Sequence, residues 1–314
     1  MKKSRILDGV SQARFVPPYI LSLLLAIVFV QGGQQLAYLA LEPISTVLSL
    51  MLGFLGQGGF FEIFFNFTLP FLLFGFVFMI LALFLWVRWA EGRPLVTLGF
   101  VKKGSLVEMV KGLAVGFLLF SLVALLMLLS GAGSFEWGQL TMGPFIYILI
   151  LLPLWMIQGG AEELVTRAWL LPVAVKNTNL PIGLLTSSLL FALLHLGNPD
   201  IGILPILNIV LFGLFTSLYL LRTDNIWGII GLHAAWNFTQ GNIYGFSVSG
   251  TGVDAAVLNF IPKTDSSWLT GGAFGAEASI FSSLILLLAV FYLLIKMKKD
   301  GSLTELVRKS QKQF

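Results

Sequence analysis

Long apolar runs are the feature that most limits what this chain can form. Runs of about 20 residues with few charges recur along the chain, and a helix of that length crosses the hydrocarbon core of a bilayer. Charged residues make up 11% of the sequence, whereas soluble domains carry about 25%. The runs are continuous rather than alternating, which excludes a membrane β-barrel. The sequence therefore predicts an all-α, polytopic transmembrane helix bundle.

About eight of these runs are candidate membrane spans. They lie near residues 17–40, 64–87, 107–130, 143–175, 182–197, 203–221, 226–243 and 278–296. Lys and Arg are concentrated at both ends of the chain and in alternate loops. By the positive-inside rule, this pattern predicts eight crossings with the N-terminus and the C-terminus both cytoplasmic. No A-x-A-like cleavage site follows the first run, so we interpret it as a retained span. In a prokaryote, the protein would reside in the plasma membrane.

The spans and loops divide the chain into five predicted segments. These are a cytoplasmic N-terminal segment (1–16), the first three spans and their loops (17–142), a four-helix core (143–243), an extracytoplasmic loop (244–277), and the last span with a basic cytoplasmic tail (278–314). The fourth run is long enough to break or to project beyond the bilayer, and Gly159 and Gly160 are its weak point. Within the loop, a short interfacial helix is expected near Val257–Phe260.

Two acids and an arginine interrupt the fourth run. Each charge at mid-bilayer costs roughly 2.5–3.5 kcal/mol. Glu163 and Arg167 are four residues apart, so a structural ion pair on one helix face is predicted. Glu162 points away from this pair, towards the face that carries Gln158 and Thr166. A carboxylate without a local counter-ion inside a membrane is a functional-site candidate.

The chain has 2 histidines, and both fall in predicted spans. His233 and Asn237 are four residues apart and share a helix face. If spans four and five form a hairpin, Glu162 and His195 lie at similar depth. His233 lies about 14 Å from its own turn and Glu162 about 25 Å from its turn, so helix tilt or a projecting fourth helix must absorb the mismatch. The alternative role for these side chains is interhelical hydrogen bonding.

Three motifs follow one another in this region. The segments EELVTR (162–167), FALLH (191–195) and HAAWN (233–237) fit the patterns E-E-x-x-x-R, F-x-x-x-H and H-x-x-x-N. In this order they resemble the CPBP family of intramembrane proteases. That family groups type II CAAX prenyl endopeptidases with bacteriocin-processing and self-immunity proteins. The stretch RPLVTLGFVKKG is similar, more weakly, to the segment that precedes the motifs in the family.

The resemblance implies an endopeptidase that hydrolyses a peptide bond of a membrane-associated or lipidated peptide or protein. Glu162 would activate water, and His195, His233 and Asn237 would complete the catalytic site. Glu163 and Arg167 would support it as an ion pair. The implied partners are a peptide or protein substrate and the lipid bilayer, with no nucleic acid.

Two arrangements of this site fit the residues. In one, His195 and His233 bind a divalent metal such as zinc, which activates the water and polarises the carbonyl, with a glutamate as third ligand or base. In the other, Glu162 is the base and the histidines with Asn237 donate hydrogen bonds to the oxyanion. The sequence has no H-E-x-x-H motif, so any metal site would be assembled from three helices. The metal-free or weakly held metal version is slightly favoured.

Other functions are excluded or less favoured. The chain has 0 Cys, which excludes a thiol protease, and the predicted spans lack the two aspartates of aspartyl intramembrane proteases. The main alternative is a non-enzymatic immunity or scaffold protein, or a proton-coupled transporter, that uses the same polar cluster. Such transporters usually contain two related halves, and the sequence shows no internal repeat.

Overall fold

The computed structural model describes residues 5–55 and 68–311, most of which are helical. The helices are α1 (Arg5–Gly9), α2 (Tyr19–Ile27), α3 (Gly33–Leu55), α4 (Thr68–Gly75), α5 (Val77–Leu85), α6 (Ser105–Leu129), α7 (Met142–Glu163), α8 (Leu171–Asn177), α9 (Leu180–Leu193), α10 (Ile203–Thr223), α11 (Ile226–Phe238), α12 (Ser267–Thr270), α13 (Ile280–Lys299) and α14 (Ser302–Gln311). Two strands, β1 (Gly133–Trp137) and β2 (Leu258–Pro262), form a small sheet. The predicted all-α class is confirmed.

Among the described residues, six helical segments are long and apolar enough to cross a membrane. They are Tyr19–Ile44, Leu69–Ala90, Ser105–Leu129, Met142–Asn177, Ile203–Thr223 and Ile280–Lys299. They confirm an integral, multi-pass membrane protein. The beginning of the predicted second span, residues 64–67, lies outside the described residues. The count of eight crossings and the cytoplasmic side of both termini stay predictions.

Two of the expected spans form helices that are shorter than the six long segments. The run at 182–197 forms α9, which has 14 residues and ends at Leu193. The run at 226–243 forms α11, which has 13 residues, followed by a π-helical turn over Thr239–Ile243. Nearly every residue of α11 is buried within the protein. Because α11 is surrounded by other helices, protein rather than lipid covers its apolar surface.

Close backbone packing explains the central position of α11. This helix makes its most extensive contacts with α6 and α7. Gly112 and Gly116 of α6 face the backbone of α11, and a Cβ atom at Gly112 would lie 1.9 Å from the carbonyl oxygen of Gly228. Small residues at helix interfaces of membrane proteins permit such backbone approach. A larger side chain at either α6 position would push α11 out of place.

The fourth apolar run forms a single long helical segment. Helices α7 and α8 are joined by a π-helical turn over Leu164–Leu170, and the whole segment has 36 residues. It is therefore about 54 Å long, compared with about 30 Å for a hydrocarbon core. The prediction of a weak point at Gly159 and Gly160 is wrong, because α7 continues through both residues. The irregularity lies one turn later, immediately after Glu163.

The region from 244 to 277 contains a strand where a short helix was expected. Residues Val257–Phe260 were predicted to be helical, which is wrong, because Leu258–Pro262 form β2. This strand pairs antiparallel with β1, from Gly133 opposite Pro262 to Trp137 opposite Leu258. Phe260 packs against Phe135 and Phe246 at ring-centroid distances of 5.5 and 4.5 Å. Contacts with a segment more than a hundred residues earlier therefore decide the conformation of this stretch.

The N-terminal end of α11 is held by segments that are distant in sequence. The backbone N–H of Ile226 donates to the carbonyl of Gly99 at 3.0 Å. Two residues earlier in the chain, the side chain of Asp224 accepts from the backbone N–H of Ile6 at 3.0 Å. Helix α1 and the turn at 95–99 thus cover the beginning of α11 and fix the position of the helix along its axis.

Candidate active site

Helices α7 and α11 lie antiparallel and exchange two polar contacts. Glu163 Oε1 lies 3.0 Å from His233 Nδ1. About one turn further along, Asn237 Nδ2 donates to Gln158 Oε1 at 2.9 Å. On each helix the two residues are about one turn apart, so both contacts lie on one seam between the helices. This seam brings His233 and Asn237 alongside the acidic segment of α7.

Glu162 lies beside this seam and faces a cavity. Its Oε2 atom lies 3.6 Å from His233 Nε2, and its side chain is 13% exposed. No hydrogen-bond partner of Oε2 is present among the described residues. Gln158 and Thr166, the residues expected on the same face, also line the cavity. The side chain lines the cavity and is partly exposed, so a small molecule in the cavity can contact it.

Glu163 and Arg167 form a fully buried charged pair. Arg167 Nη1 lies 3.4 Å from Glu163 Oε1, and both side chains have 0% exposure. The guanidinium also donates to the hydroxyl of Thr166. Its Cζ atom lies 4.0 Å from the ring centroid of Phe191. The pair lies behind the cavity wall. There, Arg167 holds in place the Glu163 carboxylate, which contacts His233.

The helix geometry around Glu162 makes room for His233. At Gly159, a Cβ atom would lie 2.9 Å from His233 Cγ, closer than side chains normally approach. The absence of a side chain at this position lets the imidazole pack directly on α7. The π-helical turn begins at Leu164, immediately after the acidic pair. Such turns occur frequently at functional sites, because they change the direction of side chains within an otherwise regular helix.

His195 lies in the turn that follows α9, not inside a helix as predicted. Its Nδ1 atom is 2.8 Å from the carbonyl oxygen of Phe191, and its ring packs edge-on against the Phe191 ring at 4.7 Å. A carbonyl oxygen only accepts hydrogen bonds, so Nδ1 carries the proton of the neutral ring. This leaves Nε2 as the nitrogen that can exchange a proton with another group.

The four predicted catalytic residues share one cavity of about 720 Å³. Its lining includes Glu162, His195, His233 and Asn237, but not Glu163 or Arg167. Motif analysis missed several further polar lining residues, among them Asn208 on α10 and two residues of the loop after α11, Ser249 and Glu277. Asn208 could have been noticed as a polar residue within an apolar run. The loop residues follow no periodic pattern that could have identified them.

The expected difference in depth between Glu162 and His233 is explained by the length of the segment formed by α7 and α8. Glu162 lies 15 residues before Asn177, or about 22 Å, whereas His233 lies only seven residues after Ile226, or about 10 Å. The two turns therefore lie at different depths. The turn after α10 is covered by α1, and α8 continues beyond the position of this turn. The side chains of Glu162 and His233 consequently meet.

The described residues do not supply a complete metal site. In residues 5–55 and 68–311, no three His, Cys, Asp or Glu side chains are grouped so that they could hold a metal ion. Catalytic zinc usually takes three protein ligands. Each ring nitrogen of His233 faces a carboxylate, and His195 Nδ1 is bonded to a carbonyl. This arrangement does not fit a preformed zinc centre.

The fold and the cavity define a multi-pass membrane protein with acids, imidazoles and an amide gathered inside its helical core. Residues 144–239 match the family model described as type II CAAX prenyl endopeptidase Rce1-like. The match covers about a third of the chain and confirms the resemblance to the CPBP proteases. It contains all three motifs, and Glu277 lies outside it. No curated protein and no solved structure shows a significant match to the chain.

Proposed function

We propose that the protein is an intramembrane endopeptidase in which Glu162 activates the attacking water. The family match supports a CAAX-type membrane endopeptidase in general terms. The observation that carries the specific proposal is the position of Glu162 Oε2. This atom lies 3.6 Å from His233 Nε2, and the Glu162 side chain lines the cavity together with His195 and Asn237.

In the proposed reaction, a water molecule donates a proton to Glu162 while its oxygen bonds to the carbonyl carbon of the scissile peptide. The negative charge that develops on the carbonyl oxygen needs hydrogen-bond donors. Asn237 Nδ2 lies on the cavity wall, as do His195 and His233, whose Nε2 atoms can donate when they carry a proton. The carbon–nitrogen bond then breaks, and the proton held by Glu162 passes to the leaving amine.

Glu163 and Arg167 have a positioning role in this proposal. Glu163 accepts from His233 Nδ1, which fixes the ring orientation and directs Nε2 towards Glu162. Arg167 neutralises the charge of Glu163, which could not remain buried alone without a large cost. The arrangement resembles the general use of a carboxylate to orient a catalytic imidazole.

The reaction as proposed uses no resident metal ion. The ring nitrogens of His233 are directed at carboxylates, and Glu162 can act on water directly. We expect full activity after dialysis of the purified protein against EDTA, together with less than about one tenth of an equivalent of zinc by elemental analysis. Loss of activity on EDTA treatment, with recovery on added zinc, would support the metal-dependent arrangement instead.

The proposed substrate is a peptide or protein segment held at the membrane, with a lipidated segment as the first case to test. Purified protein in proteoliposomes is incubated with a farnesylated peptide that ends in a CAAX sequence, and with the same peptide without the farnesyl group. In water enriched in ¹⁸O, mass spectrometry should show one product carboxyl group with a single ¹⁸O atom. If neither peptide is cut, nor any member of a library of membrane-associated peptides, the protein has a non-enzymatic role.

A further inference from the structure

The two ends of the helical bundle carry different segments of the chain. One end, which we call the terminal end, carries α1 and α14, joined by an ion pair between Asp8 and Lys309 at 3.6 Å. The other, the loop end, carries residues 244–277 and the sheet of β1 and β2. Asn198, in the turn after α9, donates to the carbonyl of Ser249 at 3.0 Å, which fastens this turn to the loop end.

The cavity lies in the part of the bundle that is nearer to the loop end. Asn208 marks this end of α10, because its side chain donates to the carbonyl oxygen of Glu277 at 2.8 Å. On five helical segments, the lining residues lie in the half next to the loop end: they are found at 34–42, 69–76, 208–212, 233–237 and 286. In the described part of the chain, no lining residue belongs to α1 or α14.

Packed side chains fill the part of the bundle nearer to the terminal end. Ala168 and Trp169, in the π-helical turn after α7, have 0% exposure. The indole N–H of Trp169 donates to Glu91 at 2.6 Å, and Glu91 also pairs with the buried Arg93. Ile6 of α1, which covers this end, is fully buried as well. A polypeptide entering from the terminal end would have to displace all of these contacts.

The cavity meets its surroundings at the loop end and beside α3 and α4. Asn198, Ser249 and Thr251 line it and are partly exposed. Tyr38 on α3 and Leu72 on α4 also line it, and their exposed fractions are 62% and 51%. The opening is therefore polar where the loop forms it and mainly apolar where α3 and α4 form it. A polypeptide that carries an apolar group fits both parts, since ligand sites combine an apolar wall with a few polar groups.

The two ends also differ in the sign of their charges. Exposed basic residues lie at the terminal end, among them Arg14, Lys102, Lys103, Lys298, Lys299 and Arg308. Exposed charged residues of the loop end are mainly acidic, namely Glu136, Asp200, Asp254 and Asp265, with Lys263 as a base among them. By the positive-inside rule, this distribution assigns the terminal end to the cytoplasm and the loop end to the opposite side of the membrane.

We propose that substrates reach Glu162 from the loop end, on the extracytoplasmic side of the membrane. The substrate is then an exported or outward-facing polypeptide, held by an apolar group against α3 and α4. The class of substrate rests on the proposed function, whereas the direction of access does not. Such a protease acts after its substrate has crossed the membrane, so an export step must supply that substrate.

The composition of the chain makes the direction of access measurable. The chain has 0 Cys, so a single introduced thiol reports its own accessibility. The variants are Glu162→Cys in the cavity, Asp265→Cys at the loop end and Lys299→Cys at the terminal end. They are treated in intact bacterial spheroplasts with a charged methanethiosulfonate that does not cross membranes.

Mass spectrometry of the purified variants should find Glu162→Cys and Asp265→Cys modified in intact spheroplasts, and Lys299→Cys modified only after lysis. Protection of Glu162→Cys in intact spheroplasts, whether or not lysis exposes it, would overturn the proposal.

A second measurement locates the entrance through cleavage itself. Peptide cleavage by purified Thr251→Cys is compared before and after reaction with a large polyethylene glycol maleimide, and Lys299→Cys, treated in the same way, is the control. We expect the modification to abolish cleavage by Thr251→Cys and to leave the rate of Lys299→Cys unchanged. Continued cleavage by fully modified Thr251→Cys would refute the proposed entrance. If the thiols are labelled as expected but no peptide is cut, the direction of access is supported and the protease function alone fails.

Discussion

Glu163 Oε1 lies 3.0 Å from His233 Nδ1 and 3.4 Å from Arg167 Nη1, so one carboxylate oxygen joins a buried cation to an imidazole. All three side chains are buried within the helical core. The charge pair predicted from the i, i+4 spacing is therefore not isolated from the rest of the site. It supports the ring that faces Glu162, and its removal is expected to affect both folding and reaction.

Replacing only one member of the buried pair should destabilise the protein strongly. Glu163→Ala leaves Arg167 without its counter-ion, and breaking a buried pair in this way costs about 3–5 kcal/mol. The double variant Glu163→Ala/Arg167→Met removes both charges and should recover most of that loss. Unfolding of the purified variants in detergent measures the difference. Equal destabilisation of the single and double variants would show that the pairing contributes little.

Gly159 and Gly160 offer a matched pair of substitutions on adjacent positions of α7. A Cβ atom at Gly159 would lie 2.9 Å from His233 Cγ, whereas at Gly160 the nearest atom is 3.5 Å away, on Ile230. Gly159→Ala should displace the imidazole and lower kcat/KM about 10²-fold, because small misplacements of catalytic groups are costly. Gly160→Ala should retain nearly full activity. Peptide cleavage by the two variants, compared at equal folded fraction, measures this difference.

Asn237 and Gln158 test the proposed oxyanion contacts. Removing one such donor typically lowers kcat about 10²–10³-fold, and we expect this loss for Asn237→Ala. Gln158 accepts from Asn237 at 2.9 Å and orients it, so Gln158→Ala should lower kcat less, by about tenfold. Steady-state kinetics separate the two effects. A change confined to KM in Asn237→Ala would assign the amide to substrate binding instead.

The spacing of residues within single helices predicted much of this site. The period of 3.6 residues separated Glu162 from the Glu163–Arg167 pair and placed Asn237 one turn from His233. All of these residues lie on helices, where local spacing determines which side chains share a face. Their neighbours across helices were suggested by the family motifs rather than by spacing.

Features that depend on distant contacts could not be predicted in the same way. The depth estimate assumed that every hairpin turn lies at the bilayer surface, whereas α1 and the turn at 95–99 cover the beginning of α11. The strand at Leu258–Pro262 depends on its pairing with β1, far away in sequence. Glu277 reaches the cavity through hydrogen bonds to Ser249 and Asn208, and none of these partners is near it in the sequence.

The most direct test of the account is the single-turnover cleavage rate of Glu162→Gln. This variant keeps the size of the side chain but removes the base, so we expect normal folding and peptide binding with a rate lowered about 10²–10⁴-fold. Glu108→Gln, which alters a carboxylate paired with Lys111 on α6, serves as the control and should cut at the rate of the unmodified protein. Cleavage by Glu162→Gln at the unmodified rate would contradict the central role assigned to this carboxylate.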